Sequence, residues 1–303
     1  VPRPGRGRRG PAARALRPVG GPVGSPVGLD PEADVRHRRG HVPPDAWESH
    51  VDTQPEPASS EEPPYRDQPL LDDVFVADPS AHLFEGRIYV YGSHDVDGTT
   101  PEDDLGSHFE MRDYQVLSMN RVGSPATVHP VALDVADVPW ADRQMWAPDA
   151  ATRDGRYLLF FPAKDHEGVF RIGVATGERP EGPFRAEPEP IRGSFSIDPA
   201  VFIDEDGQAY MFFGGIWGGQ LQRWSSGRYD PEGSKTDLEQ DDRPALCPQV
   251  APLTEDLLQF AESPRDAVIL DEGGEPLLGG DHDRRFFEAA WMHRRDGLYY
   301  LSY

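Results

Sequence analysis

Residues 196–215, with the sequence S-I-D-P-A-V-F-I-D-E-D-G-Q-A-Y-M-F-F-G-G, contain the pattern that decides the fold. Asp198 stands near the head of this stretch, a short apolar strand follows it, and the next turn ends in Gly207. A second strand, rich in aromatic residues, comes directly after the turn. Because glycine readily adopts the positive φ that tight hairpin turns require, the pattern predicts a β-hairpin headed by a carboxylate.

This hairpin pattern occurs four times along the chain. The other copies, each with its turn glycine, are residues 77–95 (Gly86), 146–165 (Gly155) and 286–303 (Gly297). The intervening lengths leave room for two more strands per unit, and residues 171–176 and 220–225 are predicted to be third strands. Since four-stranded units repeated in this way build a β-propeller, the sequence predicts an all-β fold of that type.

An acidic residue heads each of the four units. These residues are Asp78, Asp149, Asp198 and Glu288. The innermost strands of a propeller begin near the central axis, so the four carboxyl groups are expected to converge at one end of the channel. Carboxylates at short range raise one another's pKa values, an arrangement typical of acid/base chemistry on a neutral substrate. The alternative is that they cap strand ends or accept turn amides, but four buried carboxylates kept for structure alone are costly.

Four short segments, in their order along the chain, resemble glycoside hydrolase family 43. They are A-D-P-S-A-H (77–82), W-A-P-D (146–149), S-I-D-P-A-V-F (196–202) and F-F-E-A-A-W-M-H (286–293). The resemblance runs from about residue 70 to the last residue and is strongest to the bacterial β-xylosidase/α-L-arabinofuranosidase branch. It implies a five-bladed β-propeller, about four blades of which are represented here. It also implies an inverting hydrolase that releases terminal xylose or arabinofuranose from xylan-derived oligosaccharides.

The resemblance assigns catalytic roles to three of the four carboxyl groups. It makes Asp78 the general base, Glu288 the general acid, and Asp198 the residue that orients the acid and tunes its pKa. An inverting hydrolase places base and acid on opposite faces of the sugar, roughly 6.5–9.5 Å apart. We expect the Asp198 carboxylate and burial among aromatic side chains to raise the pKa of Glu288. Asp149 is not one of the family's catalytic acids and is expected to be structural.

Substrate binding is predicted at five further residues. Trp146 and Trp217 offer flat apolar faces on which a pentose can pack, and Phe287 lies beside the predicted acid. His94 and Asp95, at the end of the first strand pair, can bond sugar hydroxyls, although a histidine there is more commonly a satisfied structural residue. The other tryptophans assigned to the core are Trp140, Trp224 and Trp291.

No cofactor is required for this chemistry, and no metal site is predicted. The acidic cluster Asp281–Asp283 is interpreted as a solvated, salt-bridged turn, since two arginines follow it. The resemblance implies only a calcium or sodium ion near the channel centre of a complete propeller, beside a histidine of the fifth blade. That blade is not represented, so we expect this chain to be a C-terminally truncated part of a longer gene product.

Two other functions are consistent with a propeller of this kind. One is a retaining, fructosidase-like five-bladed hydrolase, but that group is marked by N-D-P-N-G where this chain has A-D-P-S-A (77–81). The other is a non-catalytic carbohydrate-binding propeller. Three acids in family position argue against a purely binding role. Hydrolysis of simple aryl glycosides distinguishes a hydrolase from such a binding protein.

The composition limits the partners of the protein. Its 303 residues include 30 basic and 53 acidic side chains, for a formal net charge of −23. This charge disfavours nucleic acid and anionic membrane surfaces and leaves a neutral oligosaccharide as the expected partner. Cys247 is the single cysteine, which excludes an internal disulfide. The oligomeric state is not predicted.

The first part of the chain differs from the rest in composition. Residues 1–41 include nine arginines among many prolines and glycines, with no apolar period. Residues 1–66 are therefore predicted to be a disordered Arg/Gly/Pro-rich tail and acidic linker, and residues 67–303 an incomplete propeller catalytic domain. Because the tail contains no apolar run of the signal-peptide type, the sequence predicts a cytoplasmic protein.

Overall fold

The computed structural model describes residues 69–236 and 241–303, which form sixteen β-strands and three short 3-10 helices. Within these two ranges there is no α-helix, and no helical segment has the length and apolarity needed to cross a membrane. The predicted all-β class is therefore confirmed. The segment 1–66, predicted to be disordered, lies outside the described residues.

The strands form four antiparallel sheets that follow one another along the chain. The first contains β1 (Val76–Phe84), β2 (Arg87–His94), β3 (Asp113–Met119), β4 (Thr127–Val128) and β5 (Leu133–Asp134). The second contains β6 (Ala141–Arg143), β7 (Asp149–Arg153), β8 (Arg156–Asp165), β9 (Phe170–Gly177) and β10 (Arg185–Ala186). The third contains β11 (Ala200–Ile203), β12 (Ala209–Phe213), β13 (Gln249–Pro252) and β14 (Arg265–Asp266), and the fourth β15 (Trp291–Arg295) and β16 (Leu298–Ser302).

All four hairpins read from the sequence are present, as β1–β2, β7–β8, β11–β12 and β15–β16. Their turn glycines have φ between 75° and 86°. In three of the turns the preceding residue also has positive φ: Glu85, Asp154 and Asp296. Two consecutive positive φ values define the type I′ turn, whose twist matches that of the flanking strands.

One predicted third strand is correct and the other is wrong. Residues 171–176 lie within β9, which pairs with β8 along its length. Residues 220–225 instead include the 3-10 helix Leu221–Trp224, and β13 takes the third place in its sheet. Gln220 starts this helix with a φ of 67°, a left-handed conformation that a strand does not accommodate. Its side-chain amide is used elsewhere, since it accepts from the Phe170 N–H and donates to the Gly168 carbonyl.

The hydrophobic core lies between successive sheets. Phe161 and Tyr91 are fully buried between the first and second sheets, and Phe160 and Phe213 between the second and third. Phe286 is buried where the fourth sheet meets the third. The first strands of the four hairpins, which we call the leading strands, are β1, β7, β11 and β15. They are neighbours as well, because β7 contacts both β1 and β11, and β11 contacts β15. The sheets are therefore arranged in chain order with their leading strands side by side, which brings the heads of these strands together.

Candidate active site

A cavity of about 580 Å³ lies where the heads of the leading strands meet, and it opens to solvent. All three predicted catalytic residues line it: Asp78, Asp198 and Glu288. Four of the five predicted substrate-binding residues also line it: Asp95, Trp146, Trp217 and Phe287. The repeat therefore brings together, in space, residues that are far apart in the sequence.

The backbone at the acids is held in an uncommon conformation. Asp78 has a φ of 49° and Asp198 a φ of 57°, both in the left-handed region, and a proline follows each. Ala289, directly after Glu288, has a φ of 59°. A left-handed conformation destabilises the folded state by on the order of 1–3 kcal/mol for each non-glycine residue that adopts it. Aspartate is among the few non-glycine residues that tolerate this conformation. At Asp78 the register of β1 against β2 also shifts between Ala77 and Ser80, an irregularity that re-aims the side chain.

Asp198 connects the third sheet to the segment that carries the acid. Its Oδ2 accepts a hydrogen bond of 3.0 Å from the backbone N–H of Ala289, the residue after Glu288. Burial raises the pKa of Asp198 well above its ordinary value, and the neighbouring Glu288 carboxyl raises it further. The Asp198 carboxyl group thus fixes the position of the Glu288 backbone and lies close enough to interact with its side chain.

The two other acids are reached by water through the cavity mouth, although protein surrounds them on most sides. This partial desolvation raises the pKa of Glu288, and the charge of Asp78 adds to the effect. Burial acts on Glu288 as expected, and the expected repulsion between Glu288 and Asp198 is present as a further rise in the pKa of Asp198. Desolvation also raises the pKa of Asp78, with the Asp95 carboxylate as the second cause. Asp95 thus contributes to the electrostatics of the site as well as to its wall.

Trp146 forms one wall of the cavity, and a loop that the sequence analysis missed holds it in place. Its Nε1–H donates to the Phe109 carbonyl at 3.0 Å, and the Phe109 ring meets it edge-on at 6.2 Å. The Gln144 side chain donates to the Gly106 carbonyl at 2.9 Å, which ties the same loop to the second sheet. The cavity-lining residues of this loop are Asp104, Leu105, Gly106 and Phe109. The loop has no apolar period, so only its position between β2 and β3 could have drawn attention to it.

The glycines around Trp217 allow close packing of protein against protein. A Cβ at Gly215 would lie 2.6 Å from Ile197 and 3.3 Å from the Cβ of Glu288. A Cβ at Gly218 would overlap the Leu105 carbonyl oxygen. These glycines let the segment that bears Trp217 approach both the acid and the Leu105 loop, so that it closes the cavity.

Two predictions about individual side chains need correction. His94 does not line the cavity, and its Nδ1 lies 3.1 Å from Asp113 Oδ1. Trp291, which was assigned to the core, does line the cavity, and its ring lies 5.8 Å from that of His82. Trp140 packs in the core as expected, stacked on Phe161.

Asp149 has the contacts of a structural residue. Its side chain is only 1% exposed, and its Oδ1 lies 2.6 Å from His82 Nε2. Its Oδ2 accepts the Val201 N–H, also at 2.6 Å. One buried carboxylate therefore joins the first, second and third sheets, and both of its oxygens are already bonded.

Three carboxyl groups from three sheets, set in an open cavity with aromatic walls, are the features of a glycoside hydrolase active site. Comparison with known proteins agrees. Residues 69–303 match the family model described as "Glycosyl hydrolases family 43", and the chain belongs to that family.

Named relatives support the same assignment. The chain is 54% identical to xylosidase/arabinosidase 43A of Humicola insolens over 241 residues, which cover 78% of this chain and 74% of that protein. It is 49% identical to a xylosidase/arabinosidase of Bacteroides ovatus, with 77% and 71% covered. Among solved structures it is similar to CoXyl43, a GH43 β-xylosidase/α-arabinofuranosidase from a compost microbial metagenome, crystallised with xylotriose in a calcium-free form. That similarity has a TM-score of 0.77 at 62% identity, over 78% of this chain and 72% of the other.

Proposed function

We propose that the protein is an inverting glycoside hydrolase that releases terminal xylose or arabinofuranose from xylan-derived oligosaccharides. The observation that carries this proposal is the convergence of Asp78, Asp198 and Glu288 on one cavity, each from a different sheet. The relatives named as xylosidase/arabinosidase support the choice of sugars. Solved complexes of CoXyl43 and of a Xanthomonas citri enzyme with xylotriose support an oligosaccharide substrate.

The mechanism follows from the state of each carboxyl group. Asp78, ionised, takes a proton from a water molecule as that water attacks the anomeric carbon, and its raised pKa makes it a stronger base. Glu288, kept protonated to higher pH by its raised pKa, gives its proton to the glycosidic oxygen as the bond to the leaving sugar breaks. The next turnover requires the proton to pass from Asp78 to solvent and a new one to reach Glu288, and the open cavity gives water access to both.

Asp198 acts on the acid through its position. Its hydrogen bond to the Ala289 N–H holds the backbone beside Glu288 in the left-handed conformation that directs the acid into the cavity. Because burial and Glu288 together raise its own pKa, the pair holds protons more tightly than two isolated carboxyl groups. We therefore assign Asp198 as a positioning and pKa-tuning residue.

The proposed architecture is a five-bladed propeller whose domain spans residues 67–303. Four sheets in chain order with adjacent leading strands support it. Among the described residues there is no group of three or more His, Cys, Asp or Glu side chains that could hold a metal ion.

The purified protein is expected to release 4-nitrophenol from both 4-nitrophenyl β-D-xylopyranoside and 4-nitrophenyl α-L-arabinofuranoside, because the two sugars present similar hydroxyl patterns to the cavity. Absorbance at alkaline pH after timed incubation measures the release, and the α-D-glucopyranoside is the control for non-specific hydrolysis. Binding of xylotriose with no release from either pentoside would favour the non-catalytic propeller. Membership of family 43 disfavours the fructosidase-like alternative.

A further inference from the structure

Lys164 is a half-buried cation that the proposed mechanism does not use. It lies near the end of β8, with its Nζ 5.0 Å from the centre of the Phe170 ring and 5.9 Å from that of Trp146. Burial, together with the charge of Arg143, lowers its pKa to about 8, so it still carries its proton at neutral pH. Within the described part of the chain, no carboxylate lies within salt-bridge distance of this ammonium group.

Two arginines lie near Lys164. Arg143 is its direct cross-strand neighbour on β6, and the charge of Arg223 also acts on it. Like charges directly opposite each other destabilise a sheet, so this pairing has a structural cost. It is also unusual for a protein with 53 acidic and 30 basic side chains. We call Arg143, Lys164 and Arg223 the basic cluster.

The carboxylates nearest to the basic cluster have other partners. Asp142 pairs with Arg143, and Asp165 Oδ2 lies 3.1 Å from the Nε of Arg171. Asp103, the one carboxylate whose charge raises the pKa of the lysine, uses Oδ1 to accept two backbone N–H groups of its own loop at 3.0 and 2.9 Å. These carboxylates therefore leave the charge of the half-buried lysine without a salt-bridge partner among the described residues, and an anion from outside the protein could supply one.

The basic cluster lies next to segments that form one wall of the active-site cavity, although none of its three residues lines the cavity itself. Arg143 precedes the wall residue Trp146 by three positions, and Lys164 lies against the same indole. Arg223 belongs to the 3-10 helix that follows directly on the cavity-lining segment Trp217–Gly219. When the terminal sugar is held among the three acids, the rest of the oligosaccharide must leave through the mouth. Because the basic cluster lies outside the cavity, the part of the substrate that it can bind is the part beyond the cleaved bond.

We propose that the basic cluster binds a carboxylate on the leaving part of the substrate, so that the enzyme prefers xylo-oligosaccharides that carry a uronic acid. This inference rests on the proposed function, because it takes an oligosaccharide to be the ligand of the cavity. The ammonium of Lys164 supplies the central charge. The Nη1 group of Arg143 and the Nε and Nη1 groups of Arg223 already have partners within the protein, so each arginine offers its Nη2 group to the carboxylate.

The test compares the binding of xylotriose with that of xylotriose bearing glucuronic acid on a sugar other than the terminal one. Calorimetry on the Glu288→Gln protein at low salt measures both affinities without turnover. We expect the xylotriose that bears glucuronic acid, a tetrasaccharide, to bind about tenfold more tightly, the gain expected from one charge-assisted contact. In the Lys164→Met background this ratio should fall to near one, and in the Lys164→Arg background it should persist. Arg121→Gln is the matched control, since Arg121 lies in the exposed turn after β3, at the far end of its sheet.

Three results would overturn the proposal. They are equal affinity for the neutral and the acidic oligosaccharide, an affinity ratio that survives Lys164→Met, and an equal loss of both affinities in that variant. The last would mean that Lys164 only supports the packing of Trp146. A ratio that falls in 0.5 M NaCl would support the proposal, because salt screens exposed charges. Since the readout is binding, failure of the proposed hydrolysis would be detected separately, by the nitrophenyl glycosides.

Discussion

Replacing Asp78 by asparagine is expected to lower kcat by about 10³-fold or more, the range for loss of a general base, while leaving the fold unchanged. Asparagine has the shape of aspartate and tolerates a left-handed φ, so it fits the observed value of 49°. Alanine at this position would add backbone strain to the loss of the carboxylate and would confuse the two effects. The measurement is kcat on 4-nitrophenyl β-D-xylopyranoside, together with the urea midpoint of unfolding.

The matched control for this variant is Asp137→Asn, which makes the same change at an exposed position away from the cavity. It should leave both activity and stability unchanged. Asp78 is not the base if the Asp78→Asn protein keeps a tenth or more of the activity with a normal unfolding midpoint.

Replacing Glu288 by glutamine is expected to have an effect that depends on the leaving group. With xylobiose, whose leaving hydroxyl needs a proton, kcat should fall by about 10³-fold or more. With the 4-nitrophenyl glycoside the loss should be much smaller, because nitrophenolate leaves without protonation. Parallel kcat measurements on the two substrates give the comparison. Equal losses on both would show that Glu288 does not protonate the leaving oxygen.

The pH profile provides a second readout for Glu288. Partial desolvation and the charge of Asp78 raise its pKa, so the protonated, active form persists to higher pH than for an ordinary glutamic acid. Activity should fall as pH rises through this pKa, and it should fall on the acid side as Asp78 becomes protonated. In Glu288→Gln the residual activity should no longer decline on the alkaline side. A decline that persists in the variant would assign that limb to another group.

The hairpins and the convergence of the acids were predictable because both depend on local patterns. The acidic residue that heads a hairpin and the glycine in its turn lie within about twenty residues of each other, so the pattern can be recognised from the sequence. Repetition of the hairpin then places equivalent positions around one axis. Asp78 and Asp198 could be matched in this way, since each precedes a proline and heads a leading strand. The assignment of Phe287 and Asp95 to the same cavity followed from their neighbours in the sequence.

Features that depend on contacts between distant segments could not be predicted. The loop around Phe109 is recognised as a wall only because Gln144 and Trp146 bond to its carbonyls. His94 resembled a sugar-binding residue until its partner Asp113, on the neighbouring strand, was known. The cause of the raised pKa of Glu288 likewise depends on distances between sheets, which the sequence does not contain.

Strain at the acids accounts in physical terms for the aspartate of the Asp-Pro motif. The left-handed φ of Asp78 and Asp198 must be held by the packed strands, because a following proline favours extended backbone at the residue before it. Serine or threonine at these positions would accept such a φ less readily than aspartate. The motif therefore serves both the chemistry and the direction in which the side chain points.

The configuration of the first sugar released tests the central claim most directly. Proton NMR of xylobiose hydrolysis, recorded within the first minutes and before mutarotation, identifies the anomer that the enzyme forms. If Asp78 activates water on the face opposite to Glu288, the newly released non-reducing-end xylose will be the α-anomer. Initial accumulation of the β-anomer would mean retention, and would contradict the assignment of Asp78 as a base that activates water.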